Sequence, residues 1–244
     1  MHEFMVGVAT SMVTSVIAVA LSWLRTAGGR RWLMRRLSVI SDAGIDEVHR
    51  QQRLAGARLQ ADLERARWVK VMAGRGNEIT RETFQPMWRD VGARIESVQV
   101  LLPHPDAVWL DRRAQEIVRH DPGFGVELLR FQVTANVHYV ATYATRLERV
   151  ELRLHDLPHT ARLVVTDRVA YLTPYAAHQH ARSSPCLVFR NPSPMYDYCL
   201  RLFAVAWDFG APPAPEITQR VHLDAADLWR GLLDSTRPGI RHTR

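Results

Sequence analysis

Residues 4–24 (FMVGVATSMVTSVIAVALSWL) form an apolar run without a single charge, and Arg25, Arg30, Arg31, Arg35 and Arg36 follow at once. A helix over that run spans roughly 30 Å at ~1.5 Å per residue, the thickness of a bilayer's hydrocarbon core. From Ser41 or Asp42 to about residue 66 the pattern changes. Ile45, Val48, Ala55, Leu59 and Leu63 recur at helical steps between polar residues, which predicts an amphipathic helix. Beyond it short apolar runs take over. Strands are predicted over residues 68–72 (WVKVM), 98–102 (VQVLL), 149–155, 162–166, 169–173 and 186–189, and helices over 82–96, 107–120, 126–146 and 193–207. Strands alternating with helices predict an α/β sandwich with a mostly buried mixed sheet. The expected organisation is an anchor over 1–25, a basic juxtamembrane segment and amphipathic helix over 26–66, one α/β domain over 67–209 and a proline-containing tail over 210–244.

The anchor has two rivals, a cleaved signal peptide and a buried core helix. A signal peptide requires a basic leader, whereas this chain begins Met1-His2-Glu3. Ala18-Val19-Ala20 resembles a cleavage site, but the arginines just beyond it resist export. Those arginines also orient the anchor, with the following domain on the cytoplasmic side of the cell membrane, and supply contact with anionic lipid. Gly7, Ser11, Ser15, Ala18 and Ser22 share one helical face. Such a face either pairs two helices into a homodimer or is simply tolerated in a single span.

Composition narrows the chemistry. A hydrophobic content of 47% supports a real core, and the net charge of +7 is concentrated just after the apolar run, so no nucleic-acid-binding stripe stands out. Lys70 is the only lysine, so a lysine-dependent mechanism would have to use it. Cys186 and Cys199 have no histidine at metal-ligand spacing and read as buried thiols. No metal or cofactor site is expected, and neither a phosphate-binding Gly-rich loop nor a Gly-x-Ser-x-Gly elbow is present.

The most informative stretch is 157–175 (LPHTARLVVTDRVAYLTPY), followed by 184–190 (SPCLVFR) and an aromatic-rich helix ending at Trp207. Over residues 67–208 the order of elements resembles one half of the phospholipase D-like fold. That family's signature is His-x-Lys, four residues, Asp, then a Gly-Ser pair. In this register Thr160 stands at the histidine, Arg162 at the lysine and Asp167 at the aspartate, with Pro174 and Tyr175 at the Gly-Ser. The resemblance implies a phosphate-handling site from which the nucleophilic histidine has been lost. A threonine hydroxyl is a weak nucleophile without an adjacent base, and His159 points to the other face of an extended strand. Arg162 would still bind phosphate bidentately.

The residues expected at an anion-binding site are therefore Thr160, Arg162, Asp167, His178 and Arg182, the last two from the polar loop that also carries His180. The plain alternative is that Arg162 and Asp167 pair with each other and cap a turn. Three functions remain open. One is a membrane-anchored sensing or interaction protein with a catalytically degenerate domain that binds an anionic, phosphate-bearing ligand. The others are an active homodimeric phosphodiesterase and a membrane-tethered protein-binding scaffold.

Overall fold

The computed structural model describes residues 43–215, except His120, His159 and 176–179, together with isolated positions between 22 and 37. The expected anchor apart from Ser22, half of the basic segment over 26–37 and the tail from 216 onward lie outside the described residues. Among those described, no helix is long and apolar enough to cross a membrane.

Strands β1 (Ile45–His49), β2 (Trp68–Met72), β3 (Ser97–Pro103), β4 (Val150–His155), β5 (Ala161–Thr166), β6 (Val169–Pro174) and β7 (Cys186–Arg190) form one mixed sheet. Its order is β1-β7-β6-β5-β2-β3-β4. β2, β3 and β4 run parallel, and β5 lies antiparallel against β2, with Met72 opposite Leu163. The remaining pairings, β5–β6, β6–β7 and β7–β1, are antiparallel. The helices are α1 (Gly56–Leu63), α2 (Gln85–Asp90), α3 (Trp109–Val118), α4 (Val126–Ala144) and α5 (Pro194–Asp208).

The period-two alternation of the strands builds a core on each face of the sheet. Val69, Val71, Val98, Val100, Leu102 and Val164 pack with Leu59, Met87, Leu110, Leu129, Val133 and Val137 of α1–α4. On the other face, Met72, Leu101, Leu163, Val165 and Phe189 pack under Tyr196, Cys199, Phe203 and Trp207 of α5. Helix α5 starts where the sequence predicts, with Pro194 in its first turn and Ser193 Oγ accepting from Tyr196 N at 3.2 Å.

Two expectations are corrected. The amphipathic helix expected over residues 42–66 is split into strand β1, a short 3₁₀ turn and α1, so the sheet begins before residue 67. Asp46 and Glu47 of β1 both pair with Arg58 of α1, and Tyr171 of β6 donates to Asp62. Those long-range polar contacts override the local helical period. The helix expected over 82–96 shrinks to α2, with Pro86 in its first turn and the chain extended from Val91, just before Gly92 at a left-handed φ of 85°.

His155 closes β4 at 3% exposure, its ring stacked on Trp109 at 6.5 Å. Burial, against the pull of Asp156, pushes its pKa down to about 4. The folded value lies below the unfolded one, so the unfolded chain binds the proton more readily. This contribution to stability is complete above the ordinary histidine pKa of ~6.5 and is lost as the pH falls towards about 4. Urea unfolding should lose at most on the order of 3 kcal/mol from this group across that window. His155→Phe, which keeps the ring, should flatten the pH dependence. An unchanged slope in the variant would show that other groups carry it.

Candidate functional site

The parallel strands β2 and β3 end at the same edge of the sheet where antiparallel β5 begins and β6 ends, so their loops converge there. A cavity of about 830 Å³ opens at that edge. Its walls come from the loop after β2 (Arg75, Glu78), from α3 (Trp109, Arg113), from α4 (Leu129, Gln132), from Arg162 and Tyr175, and from residues 180–182.

Arg162 is the second residue of β5, and the strand's alternation turns it to the same face as Val164, towards α1–α4. It is 4% exposed. Its guanidinium lies over the Phe84 ring at 5.5 Å, and Glu78 Oε2 stands 3.8 Å from Nη1. Neither Nη1 nor Nη2 has a hydrogen-bond partner among the described residues. Folding removes water from such a group without replacing its hydrogen bonds, which is costly.

Arg75 is held in detail. Its Nη1 donates to Gln132 Oε1 at 3.1 Å, its Nη2 to His180 Nδ1 at 3.2 Å, and its guanidinium lies 5.0 Å from the Phe124 ring centre. Since arginine only donates, Nδ1 of His180 is the acceptor, and the ring proton sits on Nε2, which donates to Asp121 Oδ2 at 3.1 Å. Burial and then the Arg75 charge lower the His180 pKa, against Asp121, so the imidazole is held neutral. Arg75 itself is pushed down to about 10, first by burial and then by the nearby Arg113, Arg182 and Arg81. It remains a cation at neutral pH, but one crowded by others.

An amide ladder fixes the loop that carries Arg75. Asn136 Nδ2 donates to Asn77 Oδ1 at 2.6 Å and to the Arg75 carbonyl at 2.9 Å, and Asn77 Nδ2 donates to Gln132 Oε1 at 3.2 Å. Gly76, at φ 85°, packs so closely on Asn136 that a Cβ would stand 2.9 Å from the Asn136 Cβ. Across the cavity Tyr175 Oη accepts from Gly74 N at 3.1 Å, and the Arg113 guanidinium lies 5.3 Å from its ring centre. Burial raises the Tyr175 pKa and keeps the hydroxyl neutral.

Of the residues expected at the site, Arg162 and Arg182 line the cavity. Thr160 lies just before β5, is exposed and is not among the lining residues, although its carbonyl accepts from Tyr175 N at 2.8 Å. Asp167 is at the other end of β5, where Oδ1 accepts from Arg67 N at 2.9 Å. Five strand positions span roughly 17 Å, so the expected pairing of Arg162 with Asp167 is not made. His178 lies outside the described residues. Lys70 is on the opposite face of the sheet, between the rings of Trp68 and Phe203. Arg75, Arg113 and Gln132 were not expected. The signal for Arg75 was the Gly-Arg-Gly turn directly after an apolar strand, a usual place for ligand sites in sheets with parallel strands.

No family model matches the chain, and no curated protein matches it. Solved structures do resemble it. TrmBL2, an archaeal chromatin protein, is similar over 86% of this chain and 69% of its own, at 12% identity and a TM-score of 0.45. Nuc from Salmonella typhimurium, a phospholipase D family member, is similar over 65% of this chain and 90% of its own, at 13% identity and a TM-score of 0.41. NucT from Helicobacter pylori is similar over 66% and 92%, at 12% identity and a TM-score of 0.37. At such identities and scores these likenesses transfer no residue role.

The cost of burying Arg162 gives a direct test. Replacing it with methionine, close in length and apolar, should stabilise the ligand-free protein by roughly 1–3 kcal/mol, seen as a higher melting temperature. A lower melting temperature would mean that the guanidinium has a stabilising partner in solution.

Proposed function

We propose that this cavity binds a phosphate-bearing anion and that the protein works by binding rather than by turnover, on a phospholipase D-like scaffold tethered to the membrane by residues 4–24. The observation that carries the reading is Arg162, whose buried Nη1 and Nη2 have no hydrogen-bond acceptor among the described residues, on the wall of a cavity lined by four further arginines, Arg75, Arg81, Arg113 and Arg182. Phosphate oxygens supply what such guanidiniums lack. The preference for binding rests on sequence, since Thr160 stands where the phospholipase D signature has its nucleophilic histidine. The tether rests on sequence too, on an uncharged run followed by five arginines.

A phosphodiesterase reading has one observation behind it. His180, oriented by Asp121, stands on the cavity wall, an arrangement that suits a base or nucleophile. Against it, Nδ1 is occupied by Arg75 and Nε2 by Asp121, so neither nitrogen is open to a substrate in this arrangement.

Both readings are tested on the full chain in detergent or nanodiscs. Pyrophosphate should raise the melting temperature of the wild type and lose at least about tenfold in affinity with Arg162→Met, a loss of one charge-assisted hydrogen-bonded contact. A chromogenic phosphodiester should not be turned over. Turnover that His180→Ala abolishes would establish the hydrolase instead. In membranes from cells that express it, the chain should resist alkaline carbonate extraction, and its release into the wash would overturn the tether.

A further inference from the structure

Resting on the phosphate-binding reading above, we infer that the ligand is a nucleotide with two or more phosphates. The phosphate chain lies among the arginines, and the base lies against the apolar corner between α3 and α4. Three features of the cavity lead there, and the first is where the charge sits. Arg75, Arg113, Arg162 and Arg182 reach the cavity from four separate elements. With Arg81, five lining arginines face two lining carboxylates, Glu78 and Asp121, an excess of three positive charges. Including Glu116, which pairs with Arg113 at 2.8 Å, the excess is two. A single phosphate concentrates a charge of about −1.5 to −2 on one cluster of oxygens. Guanidiniums spread over four elements match negative charge that is also spread, as along a phosphate chain.

The second feature is that part of the cavity is apolar. Trp109 of α3 and Leu128 of α4 are half-buried in its wall, while Leu110, Ile117, Phe124 and Leu129 beside them are buried. A bare oligophosphate would leave Trp109 and Leu128 against water, whereas a ring system covers them and gains by doing so. The cavity's volume, about 830 Å³, lies in the range of small-molecule pockets, ~300–1,000 Å³.

The third is Gln132, on the cavity wall beside Arg75 and 8% exposed. Its Oε1 accepts from both Arg75 and Asn77, which turns the amide nitrogen the other way. No described residue accepts from that nitrogen. It offers a donor to a ring nitrogen, carbonyl or ribose oxygen lying between phosphates and base.

The test uses the full chain in nanodiscs and calorimetric titration with the four common nucleoside triphosphates, inorganic tripolyphosphate, adenosine and dihexanoyl phosphatidylglycerol. The best nucleoside triphosphate should bind at least about tenfold more tightly than tripolyphosphate, the gain expected from one stacked base. Adenosine and the lipid should bind far more weakly. Leu128→Ser should shrink the tenfold gap while leaving tripolyphosphate affinity in place, and Arg162→Met should weaken both. If Leu128→Ser does not fold, the wild-type ratio decides alone. Equal binding of tripolyphosphate and all four nucleotides, or tighter binding of the lipid, would overturn the nucleotide inference and leave the phosphate site standing. Failure of every phosphate compound to bind would overturn both.

Discussion

The register of β5 is the constraint on which the rest of the site depends. With Met72 opposite Leu163 and Arg162 opposite Thr173, the strand sends Leu163 and Val165 under α5, and Arg162 and Val164 towards α1–α4. A slip of one residue would exchange these sets, because side chains alternate faces along a strand. Arg162 would then press into the layer of Phe203 and Trp207, and Leu163, Val164 and Val165 would each enter the core built for the other face. Leu163, Val164 and Val165 are each at most 1% exposed, so the register is held by apolar burial on both sides. Burial of apolar neighbours, at roughly 1.5–3 kcal/mol for each large side chain, outweighs the cost of desolvating one guanidinium.

Positive charge is then arranged around that fixed point in two ways. Arg75 is satisfied within the protein, through Gln132 and His180, and the Asn77–Gln132–Asn136 ladder holds its loop. Among the described residues, Arg162 has only Glu78 at 3.8 Å and the face of Phe84. The satisfied arginine fixes the cavity's shape, and the unsatisfied one is the group that the proposed anion would meet. In a site of low dielectric the mutual repulsion among Arg75, Arg81, Arg113 and Arg182 acts in the same direction, because any anion that enters relieves it.

Much of this fold is legible in the sequence, and the largest exception is set at long range. β2 to β7 and α3 to α5 follow from apolar alternation or helical spacing, and the structure keeps them within a few residues. β1 was not legible, because it is set by Asp46 and Glu47 meeting Arg58 and by pairing with β7, far along the chain. The same holds at the site. Arg162 and Arg182 stand out from the register of the signature and from a polar loop. Asp167 does not join them, because five residues apart in sequence become opposite ends of an extended strand. Arg75 and Gln132 meet only once the β2 loop folds against α4, and no local pattern announces that contact.

The arrangement of charge also bears on whether such a cavity turns its ligand over. Catalysis needs interactions that strengthen between ground state and transition state. Guanidiniums around a phosphate bind the ground state and also stabilise charge in a transition state, so turnover rests on the group that would attack or move a proton. The histidine on this wall has Nδ1 accepting from Arg75 and Nε2 donating to Asp121, while Tyr175 is kept neutral by burial and accepts from Gly74. Both groups serve to position the loops and charges around them. With Thr160 outside the cavity as well, this geometry suits retention of an anion better than its cleavage.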